Sequence, residues 1–198
     1  MTYLDETRVG GTLAAKLWPA DGARLARNAA LALSGALALT VSAKIQVPFY
    51  PVPMTLQTLV LLVLAASFGA RLAAATVALY LIEGLAGLPV FAGAAAGPLY
   101  MAGPTGGFLV GFLVCAAAVG WLAERGWDRS WPRLLAAMTL GHAIVFALGF
   151  AWLAALIGPA KAFAAGVAPF ALATIVKTLL ACALVRAGWS AAARRREG

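Results

Sequence analysis

Apolar residues run through this chain in long blocks broken by short stretches of Gly, Pro and charge. Six blocks read as membrane-crossing helices: 26–44, 55–69, 72–87, 106–123, 134–157 and 164–186. A bilayer core takes about 20 apolar residues as helix. The block at 55–69 falls short of that, so it crosses steeply or incompletely. The pattern predicts an all-α integral membrane protein with six transmembrane helices. An even number of spans puts both ends of the chain on one side.

Composition agrees. Of 198 residues, 63% are hydrophobic and 11% charged, and mean hydropathy is +0.92. That leaves too little charged surface for a soluble domain. A net charge of +8 raises the question of nucleic acid, and the positions of the cations answer it. Arg24, Arg27, Arg71, Arg125, Arg129, Arg133, Arg186, Arg194, Arg195 and Arg196 all fall on one side of the predicted helices, and only Lys44 and Lys161 on the other. Cationic loops stay on the cytoplasmic side, so both termini are expected there. The charge is a topology signal with some added attraction to anionic membrane lipid, and nucleic acid is not an expected partner.

The chain divides into a cytoplasmic or interfacial leader at 1–23, a six-helix domain at 24–187 and a basic tail at 188–198. Asp5, Glu6 and Asp21 argue against a cleavable signal peptide in the leader. Cys115 and Cys182 lie in apolar blocks, away from other Cys or His at metal spacing. They read as inert buried thiols.

Two connectors on the other side, 45–54 and 88–105, carry no charge. The first, in "VPFYPVP", has prolines at 48, 51 and 53 and cannot be helical. Irregular apolar backbone at membrane depth is tolerated where it is buried in protein or lines a cavity. Both connectors therefore read as lids over an outward-facing pocket, with packed interfacial loops as the alternative.

Ionisable residues within spans are costly and point to function. Lys177 in the sixth block and Glu83 near the end of the third are the clear cases. Lys177 offers an ammonium to an anionic ligand group; the competing readings are a structural Glu83–Lys177 ion pair and snorkelling to a carbonyl. Thr174, three residues earlier, shares its helix face. "GPTGG" at 103–107 opens the fourth span, with Thr105 as a candidate N-cap and the amide of Gly106 free to meet a carboxylate. Gln57, under the first lid, both donates and accepts and suits a urea-like group. Tyr100, Phe91, Phe49 and Tyr50 are candidate walls. His142, the one histidine, has no acidic neighbour and reads as packed. No phosphate-binding G-x-x-x-x-G-K-[ST] loop and no metalloprotease motif occur. Catalysis is poorly supported.

The stretches "KIQVPFYPVPMTLQTL" (44–59), "YLIEGLAGLPVFAG" (80–93), "GPTGGFLVGF" (103–112) and Pro169 to Lys177 together resemble the BioY family, the biotin-specific S components of energy-coupling-factor (ECF) transporters. The resemblance covers most of residues 26–187. It implies an S-component fold in the bacterial cell (inner) membrane, with biotin captured at the outer face. It further implies partnership with a transmembrane T component and cytoplasmic ATPases, no enzymatic activity of its own and no cofactor. Small residues on the first helix would contact the T component, which nominates Ala32 and Ala36. The substrate-binding residues would be Lys177, Glu83, Gln57, Tyr100, Thr174, Thr105 and Gly106.

One departure stands out. The last helix of the family reads P-F-L-P-G-D-x-x-K, and here Leu172, Ala173 and Thr174 replace its second Pro, Gly and Asp. Either Glu83 or Gln57 supplies the missing acceptor, or the ligand contacts differ here. The rival readings are an S component for another vitamin, a structural subunit, and, from a different class, a small membrane enzyme using Glu83 or His142.

Overall fold

The structure is a computed structural model that describes residues 11–19 and 23–194. Asp5, Glu6, Asp21, Arg195 and Arg196 lie outside the described residues. In chain order the elements are α1 (Leu13–Leu17), α2 (Arg24–Lys44), β1 (Gln46–Val47), β2 (Met54–Thr55), α3 (Gln57–Phe68), α4 (Ala70–Leu85), α5 (Pro98–Met101), α6 (Gly106–Glu124), α7 (Trp131–Ile157), α8 (Pro159–Gly166) and α9 (Ala171–Arg194). Short 3-10 turns at Trp127–Arg129 and Ala168–Phe170 precede α7 and α9.

The six predicted blocks correspond to α2, α3, α4, α6, α7 and α9. The sixth helix starts at Ala171 rather than at 164. Gly158 stands at φ +85° and ends α7, Pro159 then opens the short α8, and Pro169 lies in the turn before α9. α3 has 12 residues, about 18 Å of helix at 1.5 Å per residue against a hydrocarbon core of about 30 Å. Helix alone covers part of that thickness, and the β1–β2 hairpin, pairing Gln46 with Thr55 and Val47 with Met54, lies at the N-terminal end of α3.

α6 is the central helix, packed against α3, α4 and α7. Large apolar side chains meet around it: Leu39, Leu61, Leu62, Tyr80, Leu134, Met138 and Leu153 are all essentially inaccessible. Where α6 passes the α3–α4 turn, the chains touch through backbone. A Cβ on Gly120 would lie 2.5 Å from the nitrogen of Ala70 and 2.6 Å from the carbonyl carbon of Gly69. Glu124 Oε1 accepts the Ala70 N–H at 2.9 Å, satisfying one of the orphan donors that open α4.

At the arginine-bearing end, α1 packs on α3 and α9, with Leu13 buried. Residues 11–19 are thus docked on the helical domain. Ala36 lies in the core at 1% exposure, and Ala32 is half-buried. Residues 32, 36, 39 and 43 recur at helical spacing, and they turn that stripe of α2 inward. The face α2 presents outward carries Leu25, Leu33, Leu37 and Val41. The expected partner contact through Ala36 is corrected: the surroundings of that alanine are its own helices.

Candidate functional site

The ends of α3, α4, α6, α7 and α9 opposite the arginines, together with both connectors, enclose a cavity. Its apolar lining comes from Val52, Pro53, Ala92, Phe108, Leu109, Phe112, Val145, Phe146 and Phe170. Its polar lining comes from Thr55, Gln57, Thr58, Tyr80, Tyr100, Thr105, Thr174 and Lys177. Lys177 is the one charged residue on this lining. The space open to the centre of a water-sized sphere is about 60 Å³, and one water needs roughly 10–15 Å³ by that measure. A handful of waters fit, so a fused-ring ligand requires the walls to part. A wider cleft of about 460 Å³ lies between the two connectors and shares Pro53, Ala92, Tyr100 and Thr105 with the cavity. Those four residues mark its mouth.

The polar groups are ordered by a short hydrogen-bonded chain. Thr55 Oγ1 accepts the Gln57 N–H at 3.3 Å and donates to Gln57 Oε1 at 3.0 Å. Gln57 Nε2 donates to the Tyr80 hydroxyl at 2.7 Å, and that hydroxyl donates to the Val90 carbonyl at 3.3 Å. Lys177 Nζ donates to the Thr55 carbonyl at 2.7 Å. Gln57 and Lys177 thus meet at one residue, and Thr174 sits one turn before Lys177. These three form a single polar pole. Gln57 keeps one N–H and one lone pair for a ligand, and Lys177 keeps two N–H donors.

Tyr100 and Thr105 form the other pole, at the mouth. Tyr100 stacks on Phe91 at 4.8 Å between centroids, and Phe91 meets Tyr80 edge-on at 5.4 Å. Burial pushes the Tyr100 phenol above its ordinary pKa, with hydrogen bonds from Thr105 and the Ala92 backbone pulling the other way. It remains a neutral donor.

Two expected site residues stand elsewhere. Glu83 is half-buried and off the cavity lining, and Lys177 turns to Thr55 instead of pairing with it. Tyr80 reaches the cavity, whereas Glu83 lies a turn further along, close to the end of α4 at Leu85. Gly106 is also off the lining. Its N–H goes to Gly103 O at 3.1 Å, and a Cβ there would lie 1.9 Å from Met101 O. That glycine admits a carbonyl of its own chain. Thr105 holds the N-cap position without a side-chain cap bond and lines the cavity beside Tyr100. Among the aromatics, Tyr50 is 94% exposed and Phe91 fully buried behind the wall, and Phe49 lines the outer cleft.

His142 is buried, and its Nδ1 lies 2.9 Å from Thr178 Oγ1. That hydroxyl gives its proton to Thr174 O at 2.8 Å, so Nδ1 carries the imidazole proton and donates. The pair links α7 to α9 at the residue that follows Lys177. Tyr80 and Lys44 escaped the sequence reading. A hydroxyl inside an apolar span demands a partner, which was a usable signal for Tyr80; the bonds of Lys44 to the carbonyls of Pro89, Phe91 and Gly93 join segments that only the fold brings together.

A family model described as the BioY family matches residues 13–194. A protein of Thermotoga maritima named "Biotin transporter BioY" is 36% identical over 144 residues, covering 72% of this chain and 84% of its own length. "Biotin transporter BioY2" of Lactococcus lactis subsp. cremoris is 33% identical over 159 residues, covering 77% and 87%. The crystal structure of the S-component for biotin from an ECF-type ABC transporter superimposes with a TM-score of 0.74 at 21% identity, over 90% of this chain and 95% of that one.

Proposed function

The chain belongs to the BioY family, and from that premise we propose that it is the biotin-capturing S component of an ECF-type transporter. It is a multi-pass membrane protein of the S-component fold. In this reading it sits in the cytoplasmic membrane with its arginine-rich end and both termini inside. It works with a T component and ATPases that supply the energy. The observation that carries the reading is the cavity: apolar and aromatic walls, one ammonium, and neutral hydrogen-bonding groups at both ends. Biotin has the matching parts: a carboxylate, an aliphatic arm, a thioether ring and a ureido ring.

The geometry constrains the pose. Lys177, Gln57 and Thr174 form one pole, so an extended biotin cannot place its two polar ends on separate members of that set. A half-buried ammonium is best compensated by an anion. We assign the carboxylate to the Lys177 pole and the ureido ring to the mouth, where Tyr100 donates to its carbonyl and Thr105 accepts one of its N–H groups. The missing family Asp at Thr174 is then no obstacle, because Thr174 belongs to the carboxylate end.

Titration of the purified protein in detergent with biotin, thiamine and riboflavin tests the reading. Saturable one-to-one binding of biotin alone is expected. Absent biotin binding, or equal affinity for all three, overturns it. Glu83→Gln is expected to leave biotin affinity within about twofold of wild type, since surface-type substitutions away from a site change little. A tenfold loss in the same titration would return Glu83 to the site.

A further inference from the structure

Lys44 ends α2 on the cavity side, and its Nζ donates to three carbonyls of the second connector: Pro89 at 2.6 Å, Phe91 at 2.7 Å and Gly93 at 2.7 Å. An ammonium has three N–H donors, and all are engaged. The segment bends at 89 and again at 91–94, with Gly93 at φ +73°, so the carbonyls of residues 89, 91 and 93 curl around one nitrogen. The intervening Val90 carbonyl goes to the Tyr80 hydroxyl. The segment is therefore held from two elements, α2 through Lys44 and α4 through Tyr80. Between the grips lie Ala92, on the cavity wall, and Phe91, stacked on Tyr100.

We propose that Lys44 is a positioning residue for ligand retention: it clasps the 89–93 wall and so holds Tyr100 and Ala92 against the bound molecule. This rests on the biotin reading above. The role is specific to an ammonium, because charge-assisted bonds to three converging carbonyls must start from one atom, and the planar fork of Arg cannot supply them. Removing the clasp frees the wall to swing out, which acts on escape more than on encounter.

The test uses Lys44→Cys in the full chain, alkylated either with 2-bromoethylamine, which restores an ammonium at lysine length, or with iodoacetamide, which adds a neutral amide. Cys115 and Cys182 are fully buried, and identically treated wild type controls for them. Lys44→Cys is expected to release biotin about tenfold faster, with a smaller change in association rate. Aminoethylation restores slow release, and carbamidomethylation does not. Wild-type release from Lys44→Cys, or no recovery after complete aminoethylation shown by mass spectrometry, overturns the clasp. Lys44→Arg, expected to release biotin faster than wild type, is the second variant if the cysteine protein does not fold; wild-type release from it overturns the clasp equally. Wild type that binds no biotin overturns the biotin reading itself, whereas binding wild type matched by both variants overturns the clasp alone.

Discussion

Lys177→Ala is expected to weaken biotin binding on the order of 100-fold, since removing one partner of a buried, hydrogen-bonded charge pair costs about 2–5 kcal/mol. Lys177 is the one charge on the cavity lining, and its neighbours Gln57 and Thr174 offer only neutral donors to the carboxylate. The variant also loses the bond to Thr55 O, which ties α9 to β2. The effect on the ligand separates from that structural one by using biotin methyl ester. Wild type should bind the ester poorly, and Lys177→Ala should bind ester and acid alike. The difference between the two ligands then measures the ammonium–carboxylate coupling directly. Calorimetric titration in detergent reads both. Wild-type affinity for biotin in Lys177→Ala would remove Lys177 from the site. An ester that binds wild type as tightly as biotin would reverse the pose and put the ureido ring at Lys177.

The second large effect is on folding. Gly120→Leu is expected to destabilise the protein by about 3 kcal/mol, the upper part of the usual range for overpacking. Atoms of residues 69 and 70 lie 2.5–2.7 Å from where its Cβ would sit, and all three are backbone. No rotamer change relieves such a contact, so α6 and the α3–α4 turn must separate. Separation would also strain the bond from Ala70 N–H to Glu124. Thermal unfolding in detergent should fall by about 10 °C for a chain of this size. Ala29→Leu, on the exposed face of α2, is the control and should not shift the transition. A Gly120→Leu protein that melts with wild type would show that this crossing is not close-packed.

The site was readable as far as its chemistry is local. An ammonium in an apolar span, an amide under a proline-rich connector and a phenol in an uncharged loop are each conspicuous alone. Lys177, Gln57, Tyr100, Thr174 and Thr105 do line the cavity. Glu83 was conspicuous for the same reason, but its place near the end of α4, which no composition reveals, puts it off the lining. Gly106 was misread because the acceptor of its amide, Gly103 O, is set by the turn that Pro104 and Thr105 adopt.

The chain's own sequence determined the membrane class, the six apolar blocks, the shared side of the arginines and the two uncharged connectors. Each follows from the solvent a segment can tolerate, which is a property of the segment itself. Only tertiary structure decided that Gln57, Thr174 and Lys177 form one pole, that Ala36 faces inward, and that Lys44 clasps a wall 45 to 49 residues further on. The physical reason is that hydrogen bonds and close contacts are satisfied between segments. Which donor meets which carbonyl is settled when the helices pack.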